Sequence, residues 1–562
     1  MRVGRVLMVL ALALVVGFAS TAAFAETKKR GPVNKPFDVG LIGDFPYAPE
    51  QQQEADNLLE ELNGEQLAFI THDRTELPLG KPGLEETRTT RQVVPGVVYT
   101  KVERGRESKK DFYTVDVTFE EDLKSAKTVA EQLRADGYKP RIVRVADRAT
   151  DDPERGPLGY LVRAGKFTNE AGALKLEARL EADGYADSRT VYTGEDGGKT
   201  TGPWVVHILK VNPDRYDGTL EPELATGIVP GRELLTSISA RTDSLAAING
   251  GYFVIEASDG TPGDLAGISV LDGGLVSEAV DGRTSLVLPE GDGEGADVAA
   301  LSDNLSATSS DGAKRIVDGK NRKPGFIRGC GGDGGDTPTE RPKHDFTCTD
   351  RSELIQFTPI FGASTEPGPG AEAVLNAAGR VTKLREGRGG PIPPNGSVLS
   401  GTGVGANWLR AHARPGDTVR VSEKVSGDGA VLDDGTGVVN GGPRLVENGD
   451  EEITAFAEGF VYPEDPEFYY RFGERRNPRT LAGVTRKGDL LLVAVDGRAP
   501  GYSVGASFEE SAEIMDSLGA EEAVNLDGGG STGMTLGKRL VTRPSDTTGE
   551  RPIGDAIVVL PE

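Results

Sequence analysis

Two aspartates in the second half of the chain lie where an apolar segment gives way to glycines. Asp527 lies in the run Ala523 to Ser531, and Asp496 opens an Asp-Gly-Arg turn after the segment Leu491 to Val495. Glycines at such a place let backbone and ligand approach closely. A carboxylate there can attack a sugar or activate water. We predict Asp527 as the catalytic carboxylate and Asp496 as the second candidate, although Asp-Gly after a strand is also a common turn.

Three other glycine-bounded polar motifs lie in the same half of the chain. Asn249 precedes two glycines, Asn440 opens the run Asn-Gly-Gly-Pro-Arg that ends at Arg444, and Arg479 opens the run Arg-Thr-Leu-Ala-Gly. Any one of these motifs alone indicates a hairpin turn. Their joint presence favours a shared ligand site.

A phosphate ligand would need a local cation, because the formal net charge of the chain is −25. Arg479 is the best candidate, since a guanidinium binds two phosphate oxygens at once. The amides from Gly528 to Ser531 can form an anion-binding nest, and asparagine side chains can bind sugar hydroxyls. The predicted substrate-binding residues are Asn249, Arg444, Arg479, Thr480, Asn525, Gly528, Gly529 and Ser531.

These three motifs and the run that contains Asp527 together resemble the phosphodiester glycosidase family. The run Asn525 to Ser531 is the most diagnostic part. The closing segment Glu550 to Ala556 also matches, and the resemblance extends over 204–562. It implies a hydrolase that removes a sugar from a sugar-1-phosphodiester. The resemblance implies a β-rich mixed catalytic domain, in which we expect residues 290–430 to form an inserted β subdomain.

An internal repeat occupies residues 112–194. Leu133-Arg-Ala-Asp-Gly-Tyr138 returns as Leu180-Glu-Ala-Asp-Gly-Tyr185, and each copy reads as strand, helix and strand. The doubled unit resembles the SPOR repeat domain, which implies binding to the glycan strands of peptidoglycan. A small α+β spacer is the alternative. The predicted fold class is therefore α+β, with the doubled βαβ unit preceding the catalytic domain.

The N-terminal part carries an export signal. Arg2 and Arg5 precede the apolar run Val6 to Phe18, and Ala23-Phe24-Ala25 predicts cleavage after residue 25. We therefore expect a secreted or cell-envelope protein with no membrane span in the mature chain.

Between the signal and the repeat, the sequence predicts two short segments. Residues 26–80 resemble the start of a metallophosphoesterase, but the ligand set stops at Asp44, His72 and Asp73. Residues 81–111 read as a linker. In the last part of the chain, a serine cap and Glu510 predict a helix from Ser507 to Leu518.

Composition limits the partners and cofactors. The net negative charge of the chain argues against binding to nucleic acid, which is also negatively charged. Its four scattered histidines disfavour a catalytic metal, so no cofactor is predicted, although the carboxylates leave a structural calcium ion open. In an exported protein Cys330 and Cys348 would form a disulfide, with a weak metal site as the alternative.

Two other functions remain open from the sequence. One is a non-catalytic protein that binds cell-wall glycans, and the other is a metal-dependent phosphodiesterase. The sequence does not distinguish envelope glycans, teichoic-type polymers and exopolysaccharide as targets.

Overall fold

The computed structural model describes residues 76–291, 295–328, 347–427, 432–463 and 465–562. The predicted signal peptide (1–25) and Asp44, His72 and Asp73 lie outside these residues. No helix in the described ranges is long and apolar enough to cross a membrane.

Strands dominate the described chain. Strands β1 to β12 span Glu86–Val94, Val97–Arg104, Tyr113–Glu120, Pro140–Val145, Gly159–Phe167, Arg189–Tyr192, Trp204–Val211, Thr219–Leu224, Ala246–Asn249, Ser269–Leu271, Gly274–Ser277 and Arg283–Leu288. Strands β13 to β22 span Asp297–Ser309, Lys314–Ile316, Gly319–Lys320, Ile327–Arg328, Thr347–Cys348, Leu354–Phe357, Gly368–Asn376, Val381–Arg388, Gly396–Gly401 and Val419–Ser426. Strands β23 to β31 span Gly437–Asn440, Arg444–Glu447, Asp450–Glu451, Arg479–Thr485, Leu490–Val495, Ala520–Asn525, Met534–Leu536, Arg539–Leu540 and Asp555–Leu560.

The α-helices are short and few in the described ranges. Helices α1 to α6 span Leu123–Ala135, Glu170–Ala182, Leu235–Thr242, Gly403–His412, Pro466–Tyr469 and Phe508–Ser517. A π-helical turn, Tyr470–Glu474, continues α5. The predicted helix near residue 507 is confirmed as α6, and Ser507 and Glu510 form the expected capping box.

An eight-stranded antiparallel sheet forms the centre of the C-terminal part, and we call it the central sheet. Its strand order is β1-β2-β7-β27-β26-β28-β24-β25. Every residue of β26 and β27 is buried, which is why Leu490–Val495 is continuously apolar instead of alternating.

The first two strands of this sheet correct one prediction. Residues 81–111 are not a linker, because they contain β1 and β2, and β2 pairs with β7 from Val97↔Val211 to Arg104↔Trp204. Pro95 lies in the turn between β1 and β2. Proline is well tolerated in such turns.

The repeat has the predicted doubled order of strand, helix and strand. Its four-stranded antiparallel sheet has the order β4-β5-β3-β6, with α1 and α2 between the strands of each copy. The unit does not precede the catalytic part as predicted. It is inserted between β2 and β7, which are neighbours in the central sheet, so the chain leaves and re-enters that sheet at paired positions.

The inserted repeat is packed firmly against the rest of the protein. Val162 faces α1 and α2, whereas Leu161 packs into the core that includes Tyr470. The buried Arg163 guanidinium donates to Asp116 and Asp196 at 2.6 Å, and also to the Tyr470 hydroxyl at 2.9 Å. Both faces of the small sheet are therefore covered.

Another antiparallel sheet, which has five strands and which we call the site sheet, packs on the central sheet. Its order is β30-β29-β9-β31-β8. Ile248 and Ile557 from this sheet share one core with Leu492 and Val524 from the central sheet. This contact holds the ends of strands from both sheets at a common edge.

The predicted insertion at 290–430 is built from β13 to β22 and α4. It contains a five-stranded sheet with the order β15-β18-β21-β19-β20. It is not an isolated subdomain, because β13 pairs with β12 in a sheet that also contains β23. Cys348 lies on β17, while Cys330 is outside the described residues, so the disulfide stays a prediction.

Candidate functional site

The candidate site lies where strands of the two packed sheets begin and end. β26 begins at Arg479 and β28 ends at Asn525, and their antiparallel register pairs Leu481 with Asn525. In the site sheet, β9 ends at Asn249 opposite Ala556, near the start of β31. Antiparallel pairing therefore collects polar residues from distant parts of the sequence at one edge.

The Asn249 side chain joins the two sheets through hydrogen bonds. Its Oδ1 accepts from Thr480 Oγ1 at 2.7 Å and from the Gly533 amide at 3.0 Å. Its Nδ2 donates to the carbonyl of Asp527 at 2.7 Å. The amide is buried, so these bonds are shielded from water and fix the backbone that carries Asp527.

Tyr252 links the motif that begins at Asn440 to the run from Ala523 to Ser531. The Tyr252 hydroxyl donates to the Gly442 carbonyl and accepts from Asn525 Nδ2, both at 2.7 Å. Its amide donates to Asn440 Oδ1 at 2.8 Å. The buried Asn525 Oδ1 has no hydrogen-bond partner in the described chain, so it is available to a ligand hydroxyl.

Asp527 and Asp555 form an electrostatically coupled pair of carboxyl groups. Asp527 is half-buried, and Asp555 is 1% exposed. Burial, together with the negative charge of Asp527, raises the pKa of Asp555 to about 7 against the lowering effect of a hydrogen bond from Gly251. Asp555 Oδ1 accepts from the Gly251 amide at 2.9 Å, while its buried Oδ2 has no partner among the described residues. The Asp555 carboxyl can therefore carry a proton close to neutral pH.

Arg479 is a buried cation without a carboxylate partner in the described chain. Its Nε donates to the Ala506 carbonyl at 2.9 Å, and its Nη2 donates to the Phe472 carbonyl. Burial lowers the pKa of Arg479 to about 10. Its Nη1 donates to no described residue, which leaves a charged donor for an anion.

Arg498 is a second guanidinium beside the glycine-rich run. Both its Nε and its Nη2 donate to Asn477 Oδ1, at 3.2 and 2.9 Å. A Cβ on Gly529 would lie 3.3 Å from both terminal nitrogens of Arg498. Gly529 has φ +60°, which glycine adopts without strain. Glycine at this position therefore leaves room for the cation.

The other predicted residues of the run from Ala523 to Ser531 line the same edge. A Cβ on Gly528 would meet the Pro478 carbonyl at 2.8 Å, so only glycine fits there without a shift. Ser531 is buried, and its Oγ has no partner in the described ranges. The residues thus brought together are Asn249, Arg479, Thr480, Asn525, Asp527, Gly528, Gly529 and Ser531.

Two predicted site residues lie in other networks. Asp496 is buried, where its Oδ2 accepts from the Tyr502 hydroxyl at 3.0 Å and lies 3.2 Å from His207 Nε2. Arg444 Nη1 is 2.5 Å from Glu522 Oε2. These contacts favour structural roles, because both charges already have partners.

Three contributors were absent from the predicted site residues. Tyr252 directly follows the two glycines after Asn249, Arg498 belongs to the Asp-Gly-Arg turn, and Asp555 lies in the closing segment. In the described parts of the chain, no group of three or more His, Cys, Asp or Glu side chains could hold a metal ion.

Comparison with known proteins shows which family the C-terminal part of the chain resembles. Residues 369–560 match the model of the phosphodiester glycosidase family. The matched segment, residues 369–560, is therefore similar to phosphodiester glycosidases. The predicted enzyme class, a glycosidase among the hydrolases, agrees with that match.

Similar proteins extend the comparison. Over 78 residues the chain is 38% identical to the bovine (Bos taurus) N-acetylglucosamine-1-phosphodiester alpha-N-acetylglucosaminidase, which is 14% of this chain and 14% of the relative's length. A putative exported protein of Burkholderia pseudomallei is 34% identical, with a TM-score of 0.78 over 87% of this chain and 98% of its own. A hypothetical protein from Synechocystis shares the fold at 19% identity, with a TM-score of 0.50 over 84% and 75% of the two chains.

The raised pKa of Asp555 predicts a pH-dependent stability. The folded carboxyl keeps its proton up to about pH 7, whereas the ordinary value is 3.8. The folded state therefore binds more protons in this window, and stability falls as pH rises through it. Asp555→Asn should reduce the loss of unfolding free energy between pH 5 and pH 8 by about 3 kcal/mol.

Chemical denaturation at the two pH values measures this difference. Asp214→Asn, at an exposed position, is the matched control and should leave the pH dependence unchanged. An unchanged dependence in Asp555→Asn would show that Asp555 is ionised in the folded protein at neutral pH.

Proposed function

We propose that this chain hydrolyses a sugar-1-phosphodiester at the anomeric carbon. The observation that carries the proposal is the half-buried Asp527 beside the buried acid Asp555, with Arg479 and Arg498 on the same edge. A carboxylate is suited to the sugar, and the guanidinium groups are suited to the phosphate. The match of residues 369–560 to the phosphodiester glycosidase family supports the same reaction class.

In the proposed reaction Asp527 acts at the anomeric carbon, either as the nucleophile or as the base that activates water. The bond between the anomeric carbon and the phosphate oxygen breaks, and its electron pair leaves with the phosphate. Water supplies a hydroxyl group to the sugar and a proton to the solution, so the products are a free sugar and a phosphate monoester. A phosphate monoester is a good leaving group, so little help from a strong general acid is required.

The surrounding residues have separate proposed roles. Protonated Asp555 can donate a hydrogen bond from Oδ2 to the sugar, and Asn525 Oδ1 can accept one from a sugar hydroxyl. Arg479 and Arg498 can each donate to phosphate oxygens from Nη1, which donates to no described residue in either case. Because Arg479 is buried, its interaction with the phosphate would be little weakened by solvent.

Replacing Asp527 tests the catalytic assignment. Asp527→Asn should lower kcat by roughly two to four orders of magnitude, because the amide is neither a base nor a nucleophile. The Asn249 bond to residue 527 uses the main-chain carbonyl, so the local fold should persist. Release of N-acetylglucosamine from its 1-phosphodiester, the substrate named for the bovine relative, is the measurement.

Asp214→Asn serves again as the control, because this exposed residue lies in the loop between β7 and β8 and should retain parental activity. A folded Asp527→Asn variant with near-parental kcat would move the catalytic role elsewhere, and Asp496 would be tested next.

The location and natural target are also proposals. We infer an exported protein that acts on envelope or extracellular glycans, with the inserted repeat as a peptidoglycan-binding unit. The doubled order of strand, helix and strand supports the repeat's role. Both faces of its sheet are covered, so a glycan site on it would use the helices, loops or sheet edges.

Sedimentation with isolated peptidoglycan tests the proposed binding of the inserted repeat to glycan strands. The full chain should co-sediment with the insoluble glycan, and soluble glycan fragments should compete. The Asp527→Asn chain should bind equally, because the repeat lies apart from the catalytic carboxylate. Absence of co-sedimentation would remove the peptidoglycan-binding role while leaving the hydrolase proposal intact.

A further inference from the structure

Arg283 is a buried cation that the proposed reaction does not use. It is 8% exposed, and its Nε and Nη2 donate to the Glu458 carbonyl at 3.2 and 3.1 Å. No carboxylate oxygen of the described chain lies within ion-pairing distance, and its Nη1 donates to no described residue. The guanidinium also lies over the Phe460 ring, with its Cζ 4.6 Å from the ring centroid.

The nearby Glu458 carboxylate is occupied by other donors. Its oxygens accept from the Thr284 amide at 2.9 Å, the Thr284 hydroxyl at 2.7 Å and the Arg444 amide at 2.9 Å, and from the Thr454 hydroxyl. The carboxylate thus satisfies backbone and hydroxyl donors and does not pair directly with Arg283.

Unpaired buried arginines are exceptional in this protein. Eight arginines are buried in the described ranges, and six of them form ion pairs, namely Arg104, Arg163, Arg322, Arg444, Arg475 and Arg476. The two exceptions are Arg283 and Arg479. Burying a cation without a counter-charge is costly, so this pair is poised to gain from a bound anion.

Both exceptions lie beside the same group of aromatic rings. The Tyr252 ring centroid is 5.7 Å from that of Phe460 and 6.3 Å from that of Phe472. Arg283 contacts Phe460, and the Arg479 Cζ lies 5.7 Å from the Phe472 centroid. Arg283 and Arg479 therefore contact the same group of aromatic rings. The Tyr252 hydroxyl connects this group to Asn525 through a hydrogen bond.

The order of these groups assigns a direction to the substrate. Arg479 begins β26, which pairs with the strand leading to Asp527, so it is suited to the phosphate next to the sugar. Arg283 is linked to Asn525 through Phe460 and Tyr252, and the proposal places it on the side of the leaving group. We propose that Arg283 forms a second anion subsite, which favours phosphodiesters whose leaving alcohol carries a second phosphate. This inference rests on the proposed function, because the direction assumes the sugar at Asp527.

A matched pair of ligands tests the subsite without turnover. The first is N-acetylglucosamine 1-phosphate esterified to glycerol, and the second carries a further phosphate monoester on that glycerol. Calorimetry on the Asp527→Asn chain should give a Kd for the ester with the second phosphate that is roughly tenfold or more lower. Adding Arg283→Met should reduce the ratio of the two Kd values to about one.

Two further variants separate the subsite from general effects. Arg498→Met should weaken binding of both esters and keep their ratio, because this residue is assigned to the shared phosphate. Arg283→Lys should retain part of the ratio, since it keeps the charge without the planar fork, and it provides a test if the methionine variant does not fold. Equal Kd values for the two esters, or a ratio unchanged by Arg283→Met, would overturn the inference.

The hydrolase proposal has a different point of failure. If the parental chain binds both esters with the expected ratio but releases no sugar, the proposed reaction is wrong and the subsite stands. If it releases sugar from both esters without a preference in binding, the reaction stands and the subsite is wrong.

Discussion

The side-chain amide of Asn249 is the constraint on which the site depends. It accepts from Thr480 on the central sheet and from the Gly533 amide, and it donates to the carbonyl of Asp527. One buried side chain thus joins β9 to Thr480 and to the run from Asp527 to Gly533, which are both distant from it in sequence. Because its bonds are made inside the protein, they position the carboxylate more firmly than exposed bonds would.

The buried charged side chains of the protein differ in whether they have a partner of opposite charge. The fold pairs other buried arginines, as it does for Arg163 with Asp116 and Asp196. Arg479 and Arg283 are instead buried against carbonyl groups and aromatic rings, with no carboxylate partner in the described chain. The carboxyl of Asp555 is likewise buried without a cation among the described residues, and burial raises its pKa. A ligand with both hydroxyl and phosphate groups would satisfy these groups together.

Sequence reasoning predicted the features that depend on short-range patterns. The glycine-bounded motifs around Asn249, Thr480 and Asn525 mark strand ends, and the capping box at Ser507 marks the start of a helix. The doubled strand-helix-strand order was visible because its two copies share residues. These signals are local, so they survive without knowledge of the strand pairing.

The features that were missed or wrong depend on long-range pairing. Pairing of β2 with β7 across the whole repeat turned a predicted linker into part of the central sheet. Arg283 lies over the Phe460 ring, which is distant in sequence, and no local motif indicates that contact. Asp496 follows a strand as predicted, yet the approach of His207 and Tyr502 places it in another network.

The most direct test of the account is the position of bond cleavage. Hydrolysis of an N-acetylglucosamine 1-phosphodiester in ¹⁸O-labelled water should place the label in the released sugar, because the account has Asp527 acting at the anomeric carbon. Mass spectrometry of both products measures this. Label in the phosphate product would mean cleavage of the bond between phosphorus and oxygen, and would contradict a glycosidase mechanism.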